Sequence, residues 1–279
     1  MRSRRFVLAL AAGLSLAAGV LGTAYALDKA PDLEGTPDLI VYDQATANQW
    51  VVRDERLAAS FCSVIEGDVT PGLRRLLRFT VMTPNIGDAD VFVGNPLDHV
   101  AANDGLFEFA DCHAHYHFRH YTTYELVDPE TGKVWRAAKR GFCMLDTDPN
   151  HQNLSAGAPF YRSCGTLTAP GNQGISARWS DTYRFFLGGQ YFVLDGGDGQ
   201  KVVPPGDYVI RITVNPPFAA AAGEPCPHTD AAGICHQLPE SNYANNIANV
   251  PITIPAHVGK SGHGPAKDDP QPQGEPAEH

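Results

Sequence analysis

The segment Asp207-Tyr208-Val209-Ile210-Arg211-Ile212-Thr213-Val214 does most to narrow what this chain can fold into. Successive side chains of a strand point to opposite faces, so Tyr208, Ile210, Ile212 and Val214 share one apolar face and predict a half-buried strand. Pro204-Pro205-Gly206 opens it and Asn215-Pro216 closes it. Three more β-rich runs are punctuated in the same way: Leu76 to Val81 before Thr83-Pro84-Asn85, His120 to Val127 before Asp128-Pro129, and Ile247 to Ile254. No stretch carries a long helical period with caps, and no internal repeat is present. Many short strands separated by Gly and Pro turns predict an all-β fold, mainly an antiparallel β-sandwich with long loops and few short helices.

The ends read differently from the middle. Arg2, Arg4 and Arg5 precede an apolar run from Phe6 to Leu21, and Ala24-Tyr25-Ala26 offers small residues to a signal peptidase. Residues 1–26 therefore read as a signal peptide. The run of about 16 residues is diluted by Gly and Ser and falls short of the roughly 20 that a spanning helix needs. Ser3-Arg4-Arg5-Phe6 also admits twin-arginine export. Residues 27–36 are expected to form a mature N-terminal arm, residues 37–255 one domain, and residues 256–279 a disordered tail rich in Pro, Gly and charge. The tail's His257, His263 and His279 are too scattered to suggest a metal site.

These features predict a secreted, extracellular protein whose mature form does not span a membrane. The formal charge is −10, and loss of the three leader arginines would leave −13. That balance argues against nucleic acid as a partner and favours the approach of cations, amines included. Six cysteines in an exported chain suggest three disulfides, whose pairing spacing alone cannot decide.

The strongest chemical signal is Asp111-Cys112-His113-Ala114-His115-Tyr116-His117. If extended, the stretch places His113, His115 and His117 on one face, and three imidazoles suit Cu, Zn, Fe or Ni. The outer Cα atoms of a flat strand would lie roughly 13 Å apart, so the rings must lean inward or the strand must bend.

Cys112-His113-Ala114-His115-Tyr116-His117 resembles the copper-binding segment of lysyl oxidases. Lys139-Arg140-Gly141-Phe142-Cys143 is similar to the segment whose Lys enters their quinone cofactor. Gln173-Gly174-Ile175-Ser176 followed by Asp181-Thr182-Tyr183 is similar to the segment whose Tyr becomes that quinone. Pro205-Gly206-Asp207-Tyr208, Val214-Asn215-Pro216 and Leu238 to Asn246 extend the resemblance in the same order.

The resemblance implies that His113, His115 and His117 bind Cu2+, and that Lys139 and Tyr183 together form lysine tyrosylquinone. Its further implication is a copper-dependent amine oxidase of the protein-lysine 6-oxidase type. Such an enzyme uses dioxygen to convert a primary amine, peptidyl lysine or a small amine, to an aldehyde with release of ammonia and hydrogen peroxide. Asp181 stands two residues before the quinone Tyr and is a candidate general base, with a turn or capping role as the alternative. The resemblance also implies disulfides Cys62–Cys112 and Cys143–Cys164, which leaves Cys226 with Cys235.

This chain departs from the family in two places. Animal members have a His where Thr123 stands; if that His serves proton transfer, this chain must use another group, such as His120 or Asp181. They also carry extra cysteines, one of them at the position of Trp179. Two other readings compete. A non-catalytic extracellular copper-binding β-domain would need neither Lys139 nor Tyr183. A zinc hydrolase would need an evident general base, and no His-Glu-x-x-His helix supplies one.

Overall fold

In the computed structural model, residues 30–152, 156–220 and 226–259 are described. The expected signal peptide, residues 27–29 of the expected N-terminal arm and the expected tail beyond residue 259 lie outside them. Gly206–Val214 forms the strand that its alternation predicts, with Tyr208, Ile210, Ile212 and Val214 buried. Ile247–Ile254 alternates just as regularly and pairs with it antiparallel, Ile210 opposite Val250. Thr122–Val127 pairs on the other side and Val134–Arg136 completes a four-stranded sheet.

A second sheet joins Trp50–Leu57, Gly72–Phe79 and Tyr191–Val193. The two sheets face each other across the core. Phe79 stacks on Phe192 within its own sheet and meets the edge of Tyr124 from the four-stranded sheet at 5.3 Å. Val81–Pro84, Trp179–Tyr183 and Asp148–Pro149 form a third sheet, with the strand of Tyr183 in its centre. Among the described residues the fold is all-β, with several antiparallel sheets and no closed barrel. Among the described residues only short helices occur: Asp43–Asn48, Cys62–Glu66 and Pro96–Ala102. None is long and apolar enough to cross a membrane.

Two details differ from the sequence reading. The run Leu76 to Val81 is not one strand. Thr80 interrupts it by donating its N–H to Gln49, and the chain then passes from the second sheet into the third. The histidine stretch is not extended throughout. Phe107–Ala110 and His115–Phe118 form a hairpin whose four-residue loop, Asp111 to Ala114, contains His113. Ala114 adopts φ +56° and donates its N–H to the Ala110 carbonyl at 2.8 Å.

Candidate metal and lysine–tyrosine site

The hairpin turn solves the reach problem posed by a flat strand. Because the chain curls at residues 111–114, His113 returns over the strand that carries His115 and His117. The three rings gather with centroids 5.0–5.6 Å apart. The Nε2 atoms of His115 and His117 are 3.1 Å apart. His117 is buried, and Gly141 lies so close that a Cβ there would fall inside the imidazole. Glycine is needed at position 141 for that approach, not for an unusual φ.

Glu66, which the sequence reading missed, completes the cluster. Its Oε2 is 2.8 Å from His113 Nδ1, and donor atoms of Glu66, His113 and His117 all lie within 4.8 Å of one another. The disulfide Cys62–Cys112 ties the one-turn helix Cys62–Glu66 to the residue before His113. The clue in the sequence was the spacing from Cys62 to Glu66, which puts the two on one face of a helical turn once Cys62 is joined to Cys112. Imidazole and carboxylate donors suit Cu or Zn. The second oxygen of Glu66, Oε1, is buried without a hydrogen-bond partner among the described residues. A cation fits such a donor set.

Lys139 lies on the loop after strand Val134–Arg136, and Tyr183 ends strand Trp179–Tyr183. Lys139 Nζ sits over the Tyr183 ring, 4.8 Å from its centroid, and Tyr183 belongs to a central strand. Both side chains are buried. Gly189, at φ +70°, packs against the backbone of Lys139, and the Ala138 N–H donates to the Tyr191 carbonyl. The phenol oxygen of Tyr183 accepts from the Cys143 N–H at 2.8 Å and donates to the Cys143 carbonyl at 2.9 Å. Phe142 stands perpendicular to the Tyr183 ring at 5.2 Å. Its edge contacts with Tyr121 and Tyr124 connect the pair to the core of the sandwich.

Asp181 is fully buried, two residues before Tyr183 and on the same face of the strand. Burial pushes its carboxyl well above the ordinary range, while hydrogen bonding to Tyr121 and the Leu145 backbone and the nearby charge of Lys139 pull it back. A resting general base must be ionised, and burial opposes that. Thr123 is exposed on its strand, and His120 stacks on Phe218. Burial and Arg119 lower the His120 pKa. Neither His120 nor Asp181 lines the cavity described next.

That cavity, of about 700 Å³, is bounded by Glu66, His113, His117, Lys139, Glu108 and Asp111 among others. It therefore touches both the metal-type cluster and the lysine of the Lys139–Tyr183 pair. Disulfides fix its walls. Cys62–Cys112 anchors the hairpin loop, and Cys143–Cys164 anchors the backbone that grips the Tyr183 oxygen. Cys226–Cys235 lies apart, beside the small hairpin of His228–Thr229 and Cys235–His236. Three disulfides fit a protein that matures in an oxidising compartment.

The class defined here is an all-β sandwich that sets a histidine cluster, whose donors suit a metal, beside a buried Lys–Tyr pair. Comparison with known proteins gives that class a name. The family model for lysyl oxidase matches residues 41–226. Lysyl oxidase homolog 2 of Gallus gallus is 30% identical over 196 residues, covering 70% of this chain and 20% of its own length. The Homo sapiens homolog 2 is 28% identical over 221 residues, 76% of this chain and 24% of its own. Lysyl oxidase homolog 4 of Mus musculus is 30% identical over 190 residues, 64% and 22% respectively. The chain belongs to the lysyl oxidase family. It spans about a quarter or less of the length of these relatives.

Proposed function

We propose that this chain is a secreted copper-dependent amine oxidase that converts a primary amine, peptidyl lysine or a small amine, to an aldehyde. In balance, the amine, dioxygen and water give the aldehyde, ammonia and hydrogen peroxide. The observation that carries the reading is Lys139 Nζ poised over the Tyr183 ring beside the histidine cluster. His113, His115 and His117 would hold copper, and Lys139 and Tyr183 would become lysine tyrosylquinone. Copper and the quinone supply the one-electron and dioxygen chemistry that ordinary side chains lack.

The protein's own residues contribute position. Reacting atoms must come within about 3–3.5 Å, so a small shift of Lys139 along its loop would bring Nζ into bonding range of a ring carbon. The paired hydrogen bonds to Cys143 hold the phenol oxygen while Lys139 moves. The cavity admits an amine to the lysine side of the pair, and Glu108 and Asp111 on its wall favour a cation's approach. A non-catalytic copper-binding domain would have no use for a buried lysine packed on a buried tyrosine.

A redox-cycling quinone stain on the purified, copper-loaded full chain tests the proposal. Staining is the expected result. Full copper occupancy without staining would favour the non-catalytic copper-binding domain.

A further inference from the structure

We propose that Glu66 is an oxygen ligand of the metal held by the histidine cluster, making a mixed imidazole–carboxylate site. The proposal rests on the reading of that cluster as a copper site. Glu66 ends the helix that Cys62–Cys112 clamps beside His113, so the covalent framework delivers this side chain to the cluster. Donors about 2.0–2.2 Å from one ion and subtending a right or tetrahedral angle lie roughly 2.8–3.6 Å apart. The Glu66 Oε2–His113 Nδ1 separation of 2.8 Å and the His115 Nε2–His117 Nε2 separation of 3.1 Å both fall in that range. The Glu66 side chain is only 31% exposed and that of His113 only 11%. The other carboxylate oxygen, Oε1, is buried and lacks a hydrogen-bond partner among the described residues, an arrangement that a cation would satisfy. Three neutral imidazoles leave a divalent ion with its full charge, and one carboxylate halves it.

The competing role for Glu66 is outside the coordination sphere, accepting a hydrogen bond from His113 Nδ1–H and orienting the ring. Glutamine separates the two roles. Its carbonyl can still accept that hydrogen bond, but it offers the metal no anionic oxygen. The test is the Cu(II) electron paramagnetic resonance spectrum of the full chain at one equivalent of copper, for wild type and Glu66→Gln. The proposal expects changed g and copper hyperfine values in the variant, with copper bound at least tenfold more weakly. Identical spectra would overturn it.

A wild-type measurement covers the case in which the variant does not fold. With ¹³C-glutamate incorporated, zinc binding should shift a glutamate carboxylate stretch in the infrared difference spectrum. No shift would overturn the proposal. Failure of wild type to bind copper one-to-one would instead remove the copper reading itself, and this proposal with it.

Discussion

Gly141 illustrates how much of the site depends on a single atom being absent. Its α-carbon faces the His117 ring, and a methyl group there would have to displace the imidazole. We expect Gly141→Ala to lower copper affinity by about 10–100-fold, the range seen when the support of a metal ligand is lost. Competition with a coloured chelator would measure it, and unchanged affinity would show that His117 is free to move aside. At this scale the sequence was informative about residue type. Alternating His, a Lys and a Tyr in recognisable motifs could be read directly. What could not be read was the turn at Ala114, because positive φ at a non-glycine residue has no reliable sequence signal. Nor could the neutralising environment of Asp181 be read, because burial is set by the sheets that close over it.

Arg78 does for a whole segment what Gly141 does for one ring. Strand Gly72–Phe79 carries it into the interior, where Nε and Nη2 grip both oxygens of Glu55 at 2.7 and 2.8 Å. Its Nη1 donates to the carbonyls of Phe185 and Leu187, and its guanidinium lies over the Tyr191 ring. One side chain thereby fastens the segment that follows Tyr183 and returns through Gly189 to Lys139. Removing one partner of a buried ion pair costs about 3–5 kcal/mol. Arg53 also contacts Glu55 at 3.2 Å, so the lower end applies. Arg78→Met should therefore lower Tm by roughly 6–12 °C for a domain of this size, measured by calorimetry. A shift below about 2 °C would mean that the clamp is redundant. The strands were the legible elements. Ile247–Ile254 and Gly206–Val214 alternate because each has one face in the core. The break at Thr80 escaped notice because the residues flanking it are all β-formers, and only the partner strands decide where a chain changes sheets.

Glu240 ties distant parts of the molecule together. It accepts from the Leu39 N–H near the start of the domain, and from Asn215 and Asn246 on segments flanking the strands of the four-stranded sheet. Burial pushes its carboxyl up to about 7, against the hydrogen bonds from Asn215, Asn246 and Leu39. A raised carboxyl pKa means that the folded state binds the proton more tightly than the unfolded chain. Its contribution is greatest below the unfolded value of 4.5 and is lost as pH rises to about 7. The full change is on the order of 3 kcal/mol. Glu240→Gln should flatten Tm against pH between pH 5 and 7 relative to wild type, and parallel profiles would contradict this. The link from Leu39 to Glu240 spans almost the whole domain. No local pattern in the sequence could announce it, although Leu238 to Asn246 stood out as a motif.

The central claim is that Lys139 and Tyr183 are two halves of one cofactor. Mass spectrometry of a proteolytic digest tests it most directly, comparing protein kept copper-free with protein given copper and air. The account predicts separate Lys139 and Tyr183 peptides before copper and a single cross-linked species afterwards. Lys139→Ala should lose the link while ring oxidation continues, and Tyr183→Phe should lose both. Active, copper-loaded protein whose two peptides still run separately and unmodified would contradict it.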